Sequence, residues 1–179
     1  MKRSNRWNSV VVLVTVLMTI AILSAVYALG KGDKAPGFKL QNLSGKTMSL
    51  DELRKDPAKK GVTRPVMLVF WATWCPHCVN ETKVLQELNS KYSSKGFEIV
   101  GISLDSGGAK DVAPFVKERK LSYTILLDPD NKVGGPLYGV RGLPTSFILD
   151  KNGIIRYSYI GEYPGMEKTL DRDINSVLK

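Results

Sequence analysis

Pro65-Val66-Met67-Leu68-Val69-Phe70-Trp71-Ala72-Thr73-Trp74-Cys75-Pro76-His77-Cys78 decides how this chain of 179 residues is read. Its first seven positions form an unbroken run of apolar, β-branched and aromatic residues, the pattern of a strand buried on both faces. Ala72 to Trp74 leave room only for a tight strand-to-helix connection. From Pro76 the period changes: Cys78, Thr82, Leu85, Leu88 and Tyr92 recur at helical spacing, and Gly96 supplies a stop. Cys75 therefore falls at a helix N-terminus, with Pro76 in the first turn, where its missing N–H is not needed. Unpaired amides and the positive end of the helix dipole favour the thiolate of Cys75. Cys78 lies one turn further in and is expected to be more buried.

Cys75 and Cys78 are the only cysteines of the chain, and His77 between them is its only histidine. Two cysteines separated by two residues at such a turn make a dithiol/disulfide exchange centre. Half of a zinc site is the competing reading. Structural zinc takes four ligands, usually as two separated pairs, and the sequence has no second pair, so no metal is expected. Buried inert thiols would not explain a Pro-His spacer at a helix start.

The first thirty residues separate from the rest as residues 1–30, an anchor or leader, and 31–179, one folded domain. Lys2, Arg3 and Arg6 precede an uncharged apolar run of twenty residues, Val10 to Leu29, about the length a helix needs to cross a hydrocarbon core. Basic residues before the span predict a single-pass protein of the cytoplasmic membrane, its domain on the periplasmic or extracellular side. Cleavage after Ala28 is the rival; the length of the run favours a retained anchor. Both readings deliver the domain to the side where thiols meet oxidants, so a lone CxxC acting as a reductant there needs a membrane-crossing source of electrons. The net charge is +9, and the first thirty residues hold three of the 26 basic residues and none of the 17 acidic ones, leaving +6 beyond them. Those charges are dispersed without interleaved aromatics, which argues against nucleic acid and for a solvated basic surface beside anionic lipid.

Around the central segment, Phe38–Leu40 and Thr47–Leu50 read as a short hairpin about Asn42–Lys46, and Asp51–Arg54 as a helical turn. Lys55–Arg64 is a basic loop. Phe97–Ser103 reads as a second buried strand, Lys110–Lys120 as a helix with Val112, Phe115 and Val116 inward, and Thr124–Leu127 as a strand. After the Asp128–Asn131 turn, Thr145–Leu149 and Ile154–Ile160 flank a hairpin signal at Asp150–Gly153, and Met166–Leu178 completes the chain as a helix. Alternating strands and helices that end in a hairpin predict an α/β protein with a mixed central sheet covered by helices.

Phe70 to Cys78, the downstream Gly139-Val140-Arg141-Gly142-Leu143-Pro144-Thr145-Ser146-Phe147 and the element order together resemble the thioredoxin-fold proteins of the TlpA/ResA/DsbE kind, from about Lys34 to Lys179. The resemblance implies a thioredoxin-like three-layer fold with an N-terminal hairpin and an inserted helix-strand unit at Lys110 to Leu127. It also implies thiol-disulfide exchange outside the cytoplasm without a cofactor, commonly reduction of apocytochrome c cysteines before haem attachment. The partners would be cysteine-containing proteins and a membrane thiol-electron donor.

By the same resemblance Cys75 is the attacking thiolate and Cys78 resolves the mixed disulfide. Pro144 matches the family's cis-proline, whose turn would present the main chain of Leu143 to an extended substrate. Trp74 and Pro76, flanking Cys75, complete the expected substrate contacts. Glu81 matches the acidic residue beside the dithiol in ResA-like proteins. The aspartate of ordinary thioredoxin, six residues before the first cysteine, is replaced by Val69, leaving Glu81 as the expected proton carrier. His77 is placed to reach the Cys75 sulfur and lower its pKa. The Pro-His spacer resembles DsbA-type oxidants while the rest of the chain resembles reductants; reduction is the expected direction and oxidation the alternative. Gly134-Gly135-Pro136 departs from the family pattern, and the helix there is expected to start at Pro136 or to be shortened. A peroxiredoxin is a rival suggested by Ala35–Leu40, and a metal or haem chaperone a second; neither has its own motif here.

Overall fold

The computed structural model describes residues 29–179. The apolar run Val10–Leu29 falls, but for its last residue, outside the described residues. No helix among the described residues is long and apolar enough to cross a membrane.

Strands β1 (Lys39–Asn42), β2 (Thr47–Ser49), β3 (Val66–Trp71), β4 (Glu98–Ser103), β5 (Thr124–Leu127), β6 (Thr145–Leu149) and β7 (Ile155–Ile160) form one seven-stranded sheet, ordered β2-β1-β5-β4-β3-β6-β7. β3 is parallel to β4 and β4 to β5, whereas β6 is antiparallel to β3 and β7 to β6. The helices are α1 (Leu50–Leu53), α2 (Pro76–Tyr92), α3 (Ala109–Arg119) and α4 (Met166–Val177). The helix-strand unit α3–β5 adds a parallel strand outside β4, and the N-terminal hairpin pairs beyond it through Gln41 and Asn42. This is the expected thioredoxin-like mixed sheet with its hairpin and inserted unit.

All six β3 residues are buried, as a strand with elements on both faces requires. Alternation divides them. Met67, Val69 and Trp71 pack with Leu85, Leu88, Leu170 and Ile174 from α2 and α4, and Val66, Leu68 and Phe70 with Phe38, Leu53, Tyr138 and Phe147 on the other face. Gly101 of β4 is required by packing: a Cβ there would lie 2.9 Å from Trp71 Nε1 and 3.0 Å from Ile125 Cδ1.

The Gly134-Gly135-Pro136 expectation is half corrected. The helix is indeed short, but it is a single π-helical turn, Val133–Leu137, that begins ahead of the glycines. Buried Asp128 starts it early by accepting from the backbone N–H groups of Lys132, Val133 and Gly134 at 2.8–3.0 Å. Gly134 suits this turn because a Cβ would stand 2.6 Å from Asn131 Oδ1. The turn leads to Tyr138, whose hydroxyl donates to Pro36 O at 2.7 Å and ties the approach of the Leu143-Pro144 loop to the N-terminal segment.

Candidate active site

The site lies at the C-terminal end of β3, where Thr73 and Trp74 leave the sheet. Cys75 is the N-cap of α2, and its Sγ accepts from Cys78 N at 3.2 Å, the place a serine or aspartate oxygen takes at an ordinary cap. A thiolate there gains from that N–H and from the helix dipole. Cys75 and Cys78 form a disulfide across a Cα–Cα distance of 5.2 Å. Cys75 is 5% exposed and Cys78 1%, so the order of burial is as expected. Pro76 occupies the first position of α2 and is exposed.

Leu143-Pro144 is a cis peptide bond. Pro144 is buried, half-buried Leu143 packs against the core cluster that contains both cysteines, and Pro144 O accepts from Gly161 N at 2.7 Å. Trp74 is 69% exposed and Ile160, at the end of β7, 74%. An indole and a branched side chain are thus left in water at the end of the sheet that carries Cys75.

Glu81 points inward. It is 3% exposed, and its Oε2 is buried without a hydrogen-bond partner. Burial, then the nearby charge of Glu162, pushes its pKa up to about 7. The same carboxyl group helps to raise the Tyr123 and Tyr163 phenols, after their own burial. A recess of about 330 Å³ reaches Glu81 from the surface between Asn80, Val84, Glu162, Tyr163 and Met166. A larger recess, about 500 Å³, lies between Lys31, Asp150 and Tyr157 at the other end of the sheet and is remote from the chemistry.

His77 does not take the expected place. Its Nδ1 lies 2.9 Å from Glu162 Oε2, and the same oxygen accepts from Asn80 Nδ2 at 3.2 Å. The loop after β7 thus draws the imidazole nitrogen toward a carboxylate, and the Cys78 N–H, not His77, is the donor at the Cys75 sulfur. Glu162 was not legible as a site residue in the sequence.

Nor is Glu81 the only carboxylate near the dithiol. Asp105 is 2% exposed and accepts from Thr73 N at 3.1–3.2 Å, Thr73 Oγ1 at 2.5 Å and Ser103 Oγ at 2.7 Å. These bonds fix the turn that delivers Cys75. An acidic residue just past the C-terminal end of a parallel strand, where sites of open α/β sheets gather, was the signal that could have found it.

Comparison with known proteins agrees with this geometry. The AhpC/TSA family model matches residues 31–158. A thiol-disulfide oxidoreductase ResA of Bacillus anthracis is 38% identical over 131 residues, covering 73% of this chain and 70% of that protein. This chain belongs to the AhpC/TSA family, alongside the ResA-type thiol-disulfide oxidoreductases. The thioredoxin-like protein YneN of Bacillus subtilis is 34% identical over 147 residues, 80% of each chain. Among solved structures, a putative thiol:disulfide interchange protein DsbE from Chlorobium tepidum superimposes with a TM-score of 0.75 at 32% identity, over 85% of this chain and all of that one. The enzyme is a protein thiol-disulfide oxidoreductase, and Cys75 and Cys78 are its CxxC pair.

Proposed function

We propose that this oxidoreductase works as a reductant of protein disulfides, tethered outside the cytoplasm by its N-terminal segment, with apocytochrome c cysteines as a fitting substrate class. The observation that carries the direction is the buried carboxyl group of Glu81, one helical turn after Cys78 on the inward face of α2. The charge it carries once ionised, near pH 7 and above, disfavours the thiolate and makes the couple more reducing.

In the reaction the Cys75 thiolate attacks one sulfur of a substrate disulfide, forming a mixed disulfide and releasing the other substrate sulfur as a thiolate. Cys78 gives its proton to a base, for which Glu81 is placed, and its thiolate attacks Cys75 Sγ. The second substrate thiolate leaves, the Cys75–Cys78 disulfide forms, and two electrons have passed to the substrate. A membrane thiol-electron donor would then reduce the enzyme. The chain enters the domain where Gly32 N donates to Ile155 O at 2.8 Å and Ala35 N to Gly153 O at 3.0 Å. That is the end of the sheet opposite Cys75, separated from it by the six residues of β3, about 17 Å. A tether at residues 1–30 would therefore leave the dithiol facing away from the membrane.

The test is a trap in native membranes. Cys78→Ser should accumulate cysteine proteins disulfide-bonded to Cys75, and wild-type Cys75 and Cys78 should stand mainly reduced at steady state. A mainly oxidised pair would make the protein an oxidant instead.

A further inference from the structure

The Pro-His spacer and the acidic surroundings pull the dithiol in opposite directions, and the loop after β7 resolves the conflict. Gly161 N is bonded to Pro144 O, and the next residue, Glu162, takes His77 Nδ1 and Asn80 Nδ2 on one carboxylate oxygen. This loop joins the cis-proline turn to the first turn of α2 across the mouth of the site. We propose that Glu162 is a positioning residue that sequesters His77 from Cys75, so that a Cys-Pro-His-Cys centre keeps the low potential of a reductant.

A histidine between the cysteines stabilises the Cys75 thiolate only if its N–H or positive charge is directed at the sulfur. Here Nδ1 is directed at the Glu162 carboxylate, 2.9 Å away. The hydrogen bonds of Asn80 and Gly161 hold the carboxylate in place. Glu81 and Glu162 line the same adjoining recess, together with Asn80, Glu167 and Lys168. The His77 side chain is 67% exposed and that of Glu162 37%, which sets the scale of the effect: a screened surface pair is worth a small multiple in an equilibrium constant. The inference rests on the exchange chemistry of the CxxC pair and deepens the reductant reading.

The experiment measures two quantities in wild type, Glu162→Ala, His77→Ala and the double variant: the exchange equilibrium with glutathione, and the pH dependence of Cys75 alkylation. Glu162→Ala should shift the equilibrium toward the oxidising side by about two- to fivefold, about 9–21 mV for a two-electron couple, and lower the Cys75 thiol pKa. His77→Ala alone should change little, because His77 is already withdrawn, and in the double variant the shift should vanish. A Glu162→Ala protein unchanged in both quantities would overturn the proposal. So would a shift that persists in full without His77, since Glu162 would then act by its charge alone. Wild-type exchange activity and the steady-state redox trap test the reductant reading separately, so its failure is distinguishable from failure of the His77–Glu162 pairing.

Discussion

Replacing Glu81 by glutamine tests whether its carboxyl group is the proton store of the site. Folded Glu81 keeps its proton up to about pH 7, whereas a free glutamate releases it near 4.5. Between those values the native state binds more protons than the unfolded chain, so the contribution of Glu81 to stability falls as pH rises and is lowest above 7. For a side chain 3% exposed the whole change amounts to about 3 kcal/mol. Glutamine is isosteric with the protonated acid and cannot ionise. Wild type and Glu81→Gln should therefore have similar stability at about pH 4, and the variant should be more stable by about 3 kcal/mol at about pH 8. Urea unfolding of the oxidised protein across this range reads the difference directly. The same variant should lose the inflection near pH 7 from its thiol-exchange rate. Parallel stability–pH curves for the two proteins would refute the reasoning, because they would mean that Glu81 titrates alike in the folded and unfolded states.

Asp105→Ala removes the acceptor of two Thr73 donors and of the Ser103 hydroxyl; urea unfolding should show a loss of about 2–4 kcal/mol, less for Asp105→Asn, which keeps an acceptor oxygen. Trp74→Ala should leave stability within about 0.5 kcal/mol, since the indole is 69% exposed, yet lower kcat/KM for a protein disulfide by about five- to thirtyfold while exchange with a small disulfide is kept. Equal losses for both substrates would remove Trp74 from the docking surface.

Local pattern sufficed for the order of elements. The unbroken apolar run of β3 requires burial on both faces, the change of period at Pro76 requires a helix, and the two together place Cys75 at an N-cap whatever surrounds them. The positions of Cys75, Cys78 and the inward face of α2 through Thr82, Leu85, Leu88 and Tyr92 follow from that spacing, because residues three and four apart share one side of a helix, whereas Glu81 was singled out by resemblance. Where β3 would sit in the sheet, and that Leu143-Pro144 would lie beside it, rested on resemblance.

Tertiary structure alone decided what the polar groups do. Asp105 follows a strand separated from the dithiol by all of α2, and only the parallel pairing of β3 with β4 brings it to Thr73. Glu162 stands 85 residues after His77, and only the return of β7 beside the cis-proline loop sets it against the spacer. Nothing in the neighbouring sequence of His77 marks its partner, so the motif by itself reads as an oxidant. The elevated pKa of Glu81 has the same origin: its first cause is burial and its second the charge of Glu162, and Glu162, Tyr163 and Met166, which wall the recess beside it, arrive from the far end of the chain. Periodicity fixes which side of an element faces the core, whereas hydrogen-bond partners and local dielectric are set by segments distant in sequence, which here bring Asp105 to Thr73 and Glu162 to His77.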